Sequence, residues 1–478
     1  MVIEALPKTE TLEFIPPHAF GLARLAEYYR QCRFDVCEYT LGIKLMCEEL
    51  YHYAFAETHG CLVCRDEYDG KIYFDYPIAG GEGSDIDAAI EEIERYCLEA
   101  DLPLRWTTLP PEVLGTLLGR YDGARVYQTY YCTDYVYRTE DLCGYEGKKY
   151  AGQRNHVRRF RRACPNAIFR PLTPADRPLI DRFFARFYES FPRKDEESVQ
   201  EMRASAQLLT LSERDLFRCG CMELDGEIIG VAVGEKCGDT LVEHVEKALA
   251  ADYEGIYPAM LSEFVRLFGA DCQWVNREDD AMERGLRNSK MQYHPVRLAQ
   301  KFDVDIENIL HLVDEVPTLE TERLTLDAIT QCDADAYGAL CLDDAHNRYW
   351  GYDYRADLGG EIPDGAYFCR VAIEDFSNRR AINFAVRKNG TFVGEVVLYR
   401  FDNRGSAEIG FRILPAYTRR GYAREAAEAV LDWALYTLGM TSVRAKCFAE
   451  NSSSRKILEK LMRKTHERDG MLYFERRI

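Results

Sequence analysis

The sequence predicts an α+β protein in which one mixed-sheet unit is used two or three times. The chain has 478 residues, too many for one hydrophobic core, so several domains are expected. Strand-like and helix-like patterns alternate along its length. Residues 144–313 and 317–478 also share one order of elements: helices, antiparallel strands, a glycine corner, a helix, a strand and a further helix. This repetition is the reason to expect a shared architecture.

Two such units are predicted before residue 317, at residues 1–143 and 144–313. In the first, apolar periodicity indicates helices at 18–31 and 85–99 and strands at 34–40, 52–57, 60–65, 71–76, 104–107 and 126–137. In the second, it indicates helices at 147–163, 174–191, 195–210, 256–268 and 282–289 and strands at 217–224, 227–236, 240–247 and 272–276.

A third unit is predicted at residues 317–478, after a domain boundary at Val316–Pro317. Its patterns indicate strands at 321–327, 381–388, 391–401, 405–414, 441–448 and 473–476 and helices at 333–343, 364–377, 421–438 and 453–463. Asn451–Ser454 offers side chains that cap the start of the last helix.

Residues 405–428 carry the clearest functional signal. They are predicted to form a strand, a tight basic corner and the start of a helix. Such a corner gathers free backbone N–H groups at the positive end of a helix dipole, where a phosphate or pyrophosphate binds. Gly421 lets the backbone approach the ligand, and positive charges are added by Arg419, Arg420 and Arg424.

The net charge of −19 is distributed unevenly. Residues 317–478 contain 24 basic and 24 acidic side chains, so the excess of acid falls on residues 1–316. This acidic body argues against broad nucleic-acid binding, although a local basic site is compatible with it. No apolar run approaches the ~20 residues of a membrane span, and no leader pattern precedes the first unit. A cytoplasmic protein without a transmembrane segment is therefore predicted.

The 17 cysteines are scattered, which is typical of reduced and mostly buried thiols in a cytosolic protein. Cys61 and Cys64 have a metal-like spacing, but they fall in a strand-like run and no second pair completes a zinc set. The nine histidines are dispersed along the chain. No metal is predicted.

Four short motifs follow one another through residues 317–478. They are Glu322-Arg323-Leu324, Glu408-Ile409-Gly410-Phe411, Arg420-Gly421-Tyr422-Ala423 with Glu425-Ala426, and Asn451 with Ser454, Leu458, Glu459 and Lys460. Together they resemble the GNAT acyltransferases, especially the RimJ-like branch. The chain departs from that pattern at Thr418, where Gln or Arg is usual, at Arg419, where glycine is usual, and at Met462-Arg463, where Gly-Phe is usual.

This resemblance implies acetyl-CoA or another acyl-CoA, with its pyrophosphate at the corner and its pantetheine arm along the central strand. The cofactor-binding residues it implies are Phe411, Ile413, Leu414, Arg419, Arg420, Gly421, Tyr422, Ala423, Arg424, Asn451 and Ser454. The acceptor is then an amine of a small molecule, a peptide or a protein.

Acyl transfer from a thioester to an amine needs a group that takes the amine proton and an acid for the leaving thiolate. Glu408 lies on the central strand just before the cofactor-pairing segment, so it is the candidate proton acceptor. A structural glutamate is an equally open interpretation. Tyr422 and Tyr473 are candidate acids, against the alternative that they only pack.

A second set of motifs lies between residues 148 and 290. It comprises Lys148-Lys149-Tyr150-Ala151-Gly152-Gln153-Arg154-Asn155-His156, Phe160, Glu246-Lys247-Ala248, Asn276-Arg277-Glu278-Asp279-Asp280, Gly285-Leu286-Arg287 and Lys290. Residues 1–313 thereby resemble an uncharacterised bacterial family related to the C-terminal domain of phosphatidylglycerol lysyltransferases, which is built as two fused GNAT-like folds. With the C-terminal domain, three GNAT-like mixed-sheet units are implied.

Relatives of that family move an aminoacyl group from aminoacyl-tRNA to an amine or hydroxyl acceptor. Second-site candidates are Arg154, Asn155, Arg158, Glu246, Lys247, Asn276, Arg277, Asp279, Arg287 and Lys290. The basic segment Lys148–Arg162 is predicted to bind aminoacyl-tRNA or an anionic lipid head group, or else to be a solvated helix face paired with acids. The corner Glu254–Tyr257 has no basic residue, so CoA is not expected there.

The leading hypothesis is an acyl-CoA-dependent N-acyltransferase in residues 317–478 that transfers an acetyl group to a primary amine. The alternative is an aminoacyl-tRNA-dependent aminoacyltransferase in residues 1–313, with a lipid, peptide or small-molecule acceptor. A third hypothesis makes the N-terminal part a non-catalytic recognition module.

Overall fold

Three mixed β-sheets, each packed against helices, form the protein. The computed structural model describes residues 12–100, 102–121, 123–128, 132–190, 196–210, 216–344, 348–350 and 361–478. The three sheets confirm the predicted α+β class with three mixed-sheet units. No helix in the described ranges has the length and apolar character needed to cross a membrane.

The first sheet draws mainly on residues before 129. Its elements are α1 Pro17–Phe20, α2 Leu22–Gln31, α3 Leu41–Met46, α4 Glu48–Tyr51, β1 Ala54–Thr58, β2 Cys61–Tyr68, β3 Lys71–Phe74, β4 Ile78–Ala79, α5 Ile86–Glu99, β5 Arg105–Leu109, α6 Pro111–Leu118 and β6 Gly123–Gln128. Cys61 and Cys64 are buried in β2, as the strand-like run around them predicts.

The second sheet follows. Its elements are β7 Asp134–Arg138, α7 Thr139–Gly144, α8 Ala151–Ala163, β8 Ile168–Pro171, α9 Arg177–Ser190, α10 Glu196–Thr210, β9 Arg218–Leu224, β10 Glu227–Cys237, β11 Thr240–Ala248, α11 Ile256–Phe268, β12 Trp274–Asn276, α12 Arg284–Met291 and β13 Arg297–Ala299. The strand that follows in the chain, β14 Phe302–Glu307, belongs to the first sheet.

The third sheet occupies the C-terminal part. Its elements are β15 Leu319–Glu320, β16 Thr325–Ala328, α13 Ala334–Cys341, α14 Gly365–Ser377, β17 Ala381–Lys388, β18 Thr391–Tyr399, β19 Ser406–Ile413, α15 Tyr422–Asp432 with a π-helical turn at Trp433–Thr437, β20 Ser442–Phe448, α16 Ser452–Leu461, β21 Arg463–Arg468 and β22 Met471–Arg477.

The three sheets repeat one topology. Their strand orders are β1-β2-β3-β5-β14-β6 with β4 beside β2, β13-β7-β12-β11-β10-β9-β8, and β15-β16-β17-β18-β19-β20-β22-β21. Among the described strands each sheet has one parallel pair, which is β3–β5, β11–β12 or β19–β20. A helix crossover joins the members of each pair, as parallel pairing requires. The predicted repetition of one unit is therefore present.

The first two sheets exchange strands. β7 pairs with β12 and β13 in the second sheet, although the predicted division at 143/144 assigns it to the first unit. β14 comes after the second set of elements, yet it pairs with β5 and β6 in the first sheet. The division stays a prediction as a domain boundary, but neither sheet is made from one side of it alone.

Two local predictions in the first unit are wrong. Residues 34–40 form a turn before α3 rather than a strand, because Asp134 accepts the Cys37 N–H at 2.7 Å and the Thr40 side chain caps α3. The single strand predicted at 126–137 is two strands in different sheets, β6 and β7.

The connection before the third unit belongs to its core. Ile309, Leu310 and Val313 are buried in the same cluster as β17–β20 and α15. Arg379 donates to the Leu310 carbonyl at 3.2 Å, and Asn308 donates to the Arg379 carbonyl at 2.8 Å. The packed unit thus begins before the predicted boundary at 316–317.

Leu310→Ala is expected to destabilise the third unit by about 3 kcal/mol, because Leu310 is fully buried and its removal leaves a cavity. Leu312, two residues on, is 61% exposed, so Leu312→Ala is the matched control and should change stability by less than about 0.5 kcal/mol. Hydrogen exchange in β17–β20 measures both effects. Equal exchange in the two variants would contradict this packing.

Candidate active site

The corner between β19 and α15 has the geometry of an anion site. Gly421 is the N-cap of α15 in a left-handed conformation (φ 84°), and no side chain caps this helix end. Arg419, at the position where the resembling family has glycine, is also left-handed (φ 61°). The departure at 419 therefore changes the side chain but keeps the backbone conformation. Arg419, Arg420 and Arg424 are exposed around the corner.

A loop beside the first strand of the third sheet anchors this corner. Arg323 forms an ion pair with Glu425 at 2.6 Å and donates to the Arg420 carbonyl at 3.0 Å. Thr321 also donates to Glu425, at 2.7 Å. Burial raises the pKa of Glu425, but the hydrogen bonds from Thr321 and Arg323 outweigh it and the pKa is lowered. Glu425 therefore stays ionised and locks the corner to the sheet.

The sheet opens directly before the corner. The parallel ladder between β19 and β20 has three residue pairs and ends at Glu408 opposite Arg444. β19 continues to Ile413, paired with β18 on its other side. The main chain of Phe411 and Ile413 therefore lies on the β20 side of a widening gap. A strand edge of this kind can accept an extended amide chain.

Asn451 and Ser454 lie on the far side of the gap, where β20 leads into α16. The Asn451 side chain caps α16 by accepting the Ser454 N–H at 3.2 Å. Its amide also lies 3.1 Å from the Ser454 hydroxyl. Two helix N-termini, those of α15 and α16, thus flank one opening.

Glu408 faces the side of the sheet away from α15. Its carboxylate lies 3.2 Å from the Tyr399 hydroxyl, 3.3 Å from Lys446 Nζ and 3.4 Å from Arg400 Nη1. Burial raises the pKa of Glu408, but Lys446 and Arg400 outweigh it and the pKa is lowered. Tyr473 is the register partner of Lys446, so it shares this face.

The structure separates the two candidate tyrosines. Tyr473 lies on the Glu408 face, with its ring stacked on His466 at 4.2 Å. Tyr422 begins α15 instead, and its buried ring packs in the core under the guanidinium of Arg323. Tyr422 is thus at the corner, on the helix side of the sheet, rather than beside Glu408.

Trp350 lies over the same face at the level of the opening. A Cβ added at Gly410 would be 3.0 Å from the Trp350 ring, and the Arg412 guanidinium lies 4.2 Å from the ring centroid. Arg412 is held from below by buried Glu395 at 2.7 Å. Tyr349 lies on the β20 side of the opening, where its ring centroid is 5.7 Å from that of Phe448. Residues 349–350 therefore form one wall of this face.

The second unit repeats the corner but covers it. Gly255 is the N-cap of α11 with φ 83° and ψ 10°, against 84° and 0° at Gly421. A Cβ at Gly255 would clash with the backbone oxygen of His156 in α8, whereas at Gly421 the described residues within 4 Å are limited to the end of the Arg323 side chain, at 3.2 Å. The α8 backbone thus packs against the Gly255 corner.

Substituting alanine for Gly255 and for Gly421 should distinguish the covered corner from the open one. Both positions carry the same left-handed backbone penalty, roughly 1–2 kcal/mol. Gly255→Ala is expected to cost about 2 kcal/mol more than Gly421→Ala, because the backbone of α8 must move away. Thermal unfolding of the two variants measures this difference. Equal destabilisation would mean that α8 does not cover the Gly255 corner.

Charged side chains fill the opening of the second sheet. The β11–β12 ladder ends at Val242 opposite Asn276, and the next residue on that side, Arg277, bonds Glu243 and Glu246 at 2.5 Å each. Burial and the neighbouring Glu243 raise the pKa of Glu246, against the lowering effect of Arg277. Lys290 donates to the Arg277 carbonyl at 2.5 Å. The position that is open in the third sheet is occupied here.

The remaining second-site candidates separate into several groups. Asn276 donates to Asp134 at 2.9 Å, and Asp279 accepts from Lys290 through its carbonyl. Lys247 pairs with Glu201 of α10 at 2.5 Å, and Arg287 pairs with Asp280 at 2.7 Å. The structure therefore brings Glu246, Asn276, Arg277, Asp279 and Lys290 to the end of β12, while the Lys247 and Arg287 side chains have separate partners.

A grouping of metal-type ligands is present but holds a lysine. The potential ligand atoms of Cys37, Glu38 and Asp134 all lie within 4.8 Å of one another. Lys301 Nζ is 2.6 Å from Glu38, 2.7 Å from Asp134 and 3.4 Å from Cys37 Sγ. The buried ammonium supplies the positive charge there, so these residues join the two N-terminal units.

A buried histidine, which carries no sequence motif, forms a second contact between the two N-terminal units. His244 lies between Glu235 at 2.9 Å and Glu278 at 2.7 Å, and Glu235 also accepts the Gly42 N–H of α3. Burial alone lowers the pKa of His244, but the two carboxylates raise it to about 9.

The basic segment 148–162 is partly paired. Lys149, Arg159 and Arg161 form ion pairs with Asp141, Glu254 and Glu263. Arg154 donates to the carbonyls of Tyr145 and Gly147, which fixes the turn before α8. Within the described ranges, Lys148, Arg158 and Arg162 have no acidic partner at ion-pair distance; these and Asn155 are exposed.

A cavity of about 360 Å³ lies apart from these features. Its lining combines the connection at Asp314–Val316 with Ala372, Ile373 and Phe376 of α14 and with Asn383. It contains neither Glu408 nor a corner residue, so the chemistry is not placed there.

Several residues of the open site were missed by sequence reasoning. Tyr399, Arg400, Lys446 and Trp350 carry no motif, and only the sheet register places them around Glu408. Arg323 and Glu425 both occur in the quoted motifs, but their pairing across 102 residues has no local signal.

Comparisons with known proteins agree with this geometry. The family model for the acetyltransferase (GNAT) domain matches residues 323–462, and that for phosphatidylglycerol lysyltransferase, C-terminal, matches residues 29–304. The uncharacterized N-acetyltransferase YjdG of Bacillus subtilis is 30% identical over 152 residues, covering 30% of this chain and 87% of that protein. The uncharacterized N-acetyltransferase YoaA of the same species is 28% identical over 148 residues, covering 30% of this chain and 81% of that protein.

One solved structure shares much of the fold. A conserved protein of unknown function from Bacteroides thetaiotaomicron matches with a TM-score of 0.55 and 21% identity, over 62% of this chain and all of that chain. The open corner, the parted strands and the matched domain define an acyltransferase of the GNAT class. Through residues 29–304, the chain belongs to the phosphatidylglycerol lysyltransferase, C-terminal family.

Proposed function

We propose that residues 308–478 catalyse acyl-CoA-dependent transfer of an acyl group, preferably acetyl, to a primary amine. The observation that carries this proposal is the uncapped corner at Gly421 together with the unpaired edge of β19 beside it. A diphosphate fits the corner, and an extended amide arm fits the edge. The comparisons support the reaction class through the GNAT domain and the N-acetyltransferase relatives.

The residues of the opening would hold the cofactor in order. Arg419, Arg420 and Arg424 with the N–H groups after Gly421 would bind the diphosphate. The main chain of Phe411 and Ile413 would pair with the arm. Leu414, also expected from the sequence to pair with it, already donates its N–H to the Val393 carbonyl at 2.9 Å and accepts the Tyr417 N–H at 2.8 Å, so it would only border the arm. Ala423, Asn451 and Ser454 would line the helix ends, and Tyr422 would support the corner by packing rather than by chemistry.

When bound, acyl-CoA supplies a thioester whose carbonyl an amine can attack. Glu408 would accept the amine proton, directly or through water, because it is the last β19 residue paired with β20 before the opening. Its lowered pKa makes it a weak base, so it acts on an amine that is already largely deprotonated or on one that it orients. Tyr473, on the same face, would donate the proton to the departing thiolate.

Calorimetry with acetyl-CoA and the full chain tests this function, followed by release of free thiol in the presence of amines. Binding is expected in the range of about 1 µM to 1 mM, as for typical enzyme substrates. Thiol release should require an amine and fall at least about 100-fold in Glu408→Gln. Absence of heat with acetyl-CoA would overturn the proposal.

A second candidate concerns residues 29–304, whose family name points to aminoacyl transfer. The covered corner at Gly255 and the filled opening at Arg277 favour a reaction that does not use CoA. The exposed cations Lys148, Arg158 and Arg162 are placed for an anionic partner such as aminoacyl-tRNA or a lipid head group. A non-catalytic recognition role is the competing outcome.

A gel shift with charged tRNA separates these outcomes. Binding that is lost in Arg158→Glu/Arg162→Glu and kept in Arg177→Glu, which alters an exposed arginine paired within α9, would support an aminoacyl-tRNA site. Binding by all three proteins alike, or by none, would leave the recognition role.

A further inference from the structure

Two cations flank Glu408 without closing over it. Arg400 Nη1 lies 3.4 Å from Glu408 Oε1, and Lys446 Nζ lies 3.3 Å from Oε2. Arg400 and Lys446 keep 48% and 32% of their side-chain surface exposed, against 16% for Glu408. By contrast, the buried pair of Arg412 and Glu395 is closed at 2.7 Å, with 5% and 1% exposed. The two cations therefore retain surface with which to meet a ligand.

Among the residues that the structure describes, the side chains next to Glu408 carry excess positive charge. One carboxylate stands between two cations, and its other neighbour is the Tyr399 hydroxyl at 3.2 Å. Farther along this face, Arg444 pairs with Asp402 at 3.2 Å, and Glu475, opposite Arg444, pairs with Arg477 at 2.9 Å. An acceptor that carried only an ammonium group would meet repulsion from both cations. An acceptor with an anion beside its amine would match the whole arrangement.

The backbone at Arg400 directs its side chain toward this face. Arg400 follows β18 in a left-handed conformation (φ 52°), which costs a residue other than glycine roughly 1–2 kcal/mol. Asparagine adopts this conformation more readily than arginine. The sequence thus places a long cation at a position where a short polar residue or glycine would be easier to accommodate. Arg400→Asn therefore removes the cation and introduces a residue that readily adopts this backbone conformation.

We propose that the amine acceptor of the third unit carries an anionic group, carboxylate or phosphate, close to its amine, and that Arg400 and Lys446 bind that group. This inference rests on the proposed acyltransferase function. Glu408 then faces the amine while the two cations hold the anion beside it. Trp350 and Tyr349 bound the space above, so the rest of the acceptor passes along their rings. Arg400 and Lys446 act as specificity residues rather than proton carriers.

The test compares acceptors that carry or lack the anion, with each kcat/KM expressed per deprotonated amine because the anion also changes the pKa of the amine. Thiol release from acetyl-CoA by the full chain is measured with α-amino acids and their α-carboxamides, and with phosphoethanolamine and ethanolamine. The wild type is expected to prefer the anionic member by at least 10-fold in kcat/KM. Whether the amino acids or phosphoethanolamine show the preference identifies the anion as carboxylate or phosphate. Calorimetry with the N-acetylated products in the presence of CoA gives a readout independent of turnover.

Variants assign the preference to the two cations. Arg400→Asn and Lys446→Met should each raise KM for the anionic acceptor about 10-fold. Because both cations also lower the pKa of Glu408, each variant alters the proton acceptor for both acceptor types alike. The decisive quantity is therefore the ratio of kcat/KM for the anionic and the neutral acceptor, which should fall about 10-fold. Arg444→Met, which alters the cation already paired with Asp402, is the matched control and should leave both acceptors unchanged.

The outcomes distinguish failure of the anionic-acceptor inference from failure of the proposed acyltransferase function. If acetyl-CoA binds and amines are acetylated, but neutral acceptors are preferred, this inference fails and the proposed function stands. It also fails if Arg400→Asn and Lys446→Met lower turnover of both acceptor types equally, because the cations then only position Glu408. If acetyl-CoA does not bind, or no amine releases thiol, the proposed function fails and this inference with it.

Discussion

Gly421→Glu is expected to lower the affinity for acetyl-CoA at least about 100-fold, since placing like charges together costs several kcal/mol. The new carboxylate would stand at the N-terminus of α15, where a diphosphate is proposed to bind. Its Cβ would start 3.2 Å from Arg323 Nη2, so the carboxylate is also expected to attract that guanidinium and fill the corner. Calorimetry with the full chain measures the loss.

Gly439→Glu is the matched control for this change. Gly439 has a φ of 85°, and a Cβ there would meet no described residue within 4 Å, so the backbone penalty is the same without a steric clash. It lies after the π-helical turn that extends α15, away from the N-terminal corner. Acetyl-CoA binding should be kept in Gly439→Glu. If both variants lose binding alike, the loss at 421 reflects backbone strain and the anion site is placed wrongly.

Arg277→Met is expected to destabilise the second unit by about 3–5 kcal/mol, because it leaves two carboxylates buried together without their cation. The exposed fractions are 3% for the Glu243 side chain and 12% for that of Glu246. Hydrogen exchange should accelerate in β11 and β12, while β18 and β19 of the third unit serve as an internal reference.

The loss of stability in Arg277→Met should arise from the uncompensated charges of Glu243 and Glu246 rather than from the changed shape of the side chain. In the triple variant Arg277→Met/Glu243→Gln/Glu246→Gln, no buried charge remains uncompensated, so much of the stability should return. Lowering the pH should also reduce the difference in the free energy of unfolding between wild type and Arg277→Met. Burial already raises the pKa of Glu246, and protonation of Glu246 removes its repulsion with Glu243. A triple variant as unstable as the single one would show that Arg277 acts by packing alone.

The corner was predictable because its signals are local. Glycine before an apolar helical pattern, with arginines on both sides, specifies a left-handed N-cap in an electropositive turn, and Gly421 has that conformation. The absence of such arginines at Glu254–Tyr257 was equally readable. What covers that corner was not, because His156 approaches it from a helix about 100 residues away. Local pattern gives the loop conformation, and tertiary packing decides whether it is open.

The surroundings of Glu408 were not predictable for a related reason. Its position in the strand follows from the motif, but Tyr399, Arg400 and Lys446 reach it only through the register of three strands. Tyr422 was a candidate acid because it is close to the corner in sequence. The start of α15 instead directs its ring into the core. Sequence proximity to a motif did not indicate on which face of the sheet a side chain lies.

The exchange of β7 and β14 has a consequence for biosynthesis. The first sheet contains β5 and β6, which leave the ribosome early, but the strand between them is β14, at residues 302–307. Thr107 and Asp303, hydrogen-bonded at 2.8 Å, are 196 residues apart in the chain. The emerging N-terminal unit must therefore wait with an unfilled gap in its sheet until the second unit has been synthesised. Expression of the first 143 residues alone should yield an aggregation-prone fragment, whereas residues 1–307, which end with β14 and omit the third-unit core residues from Ile309 onward, should fold as a single cooperative body.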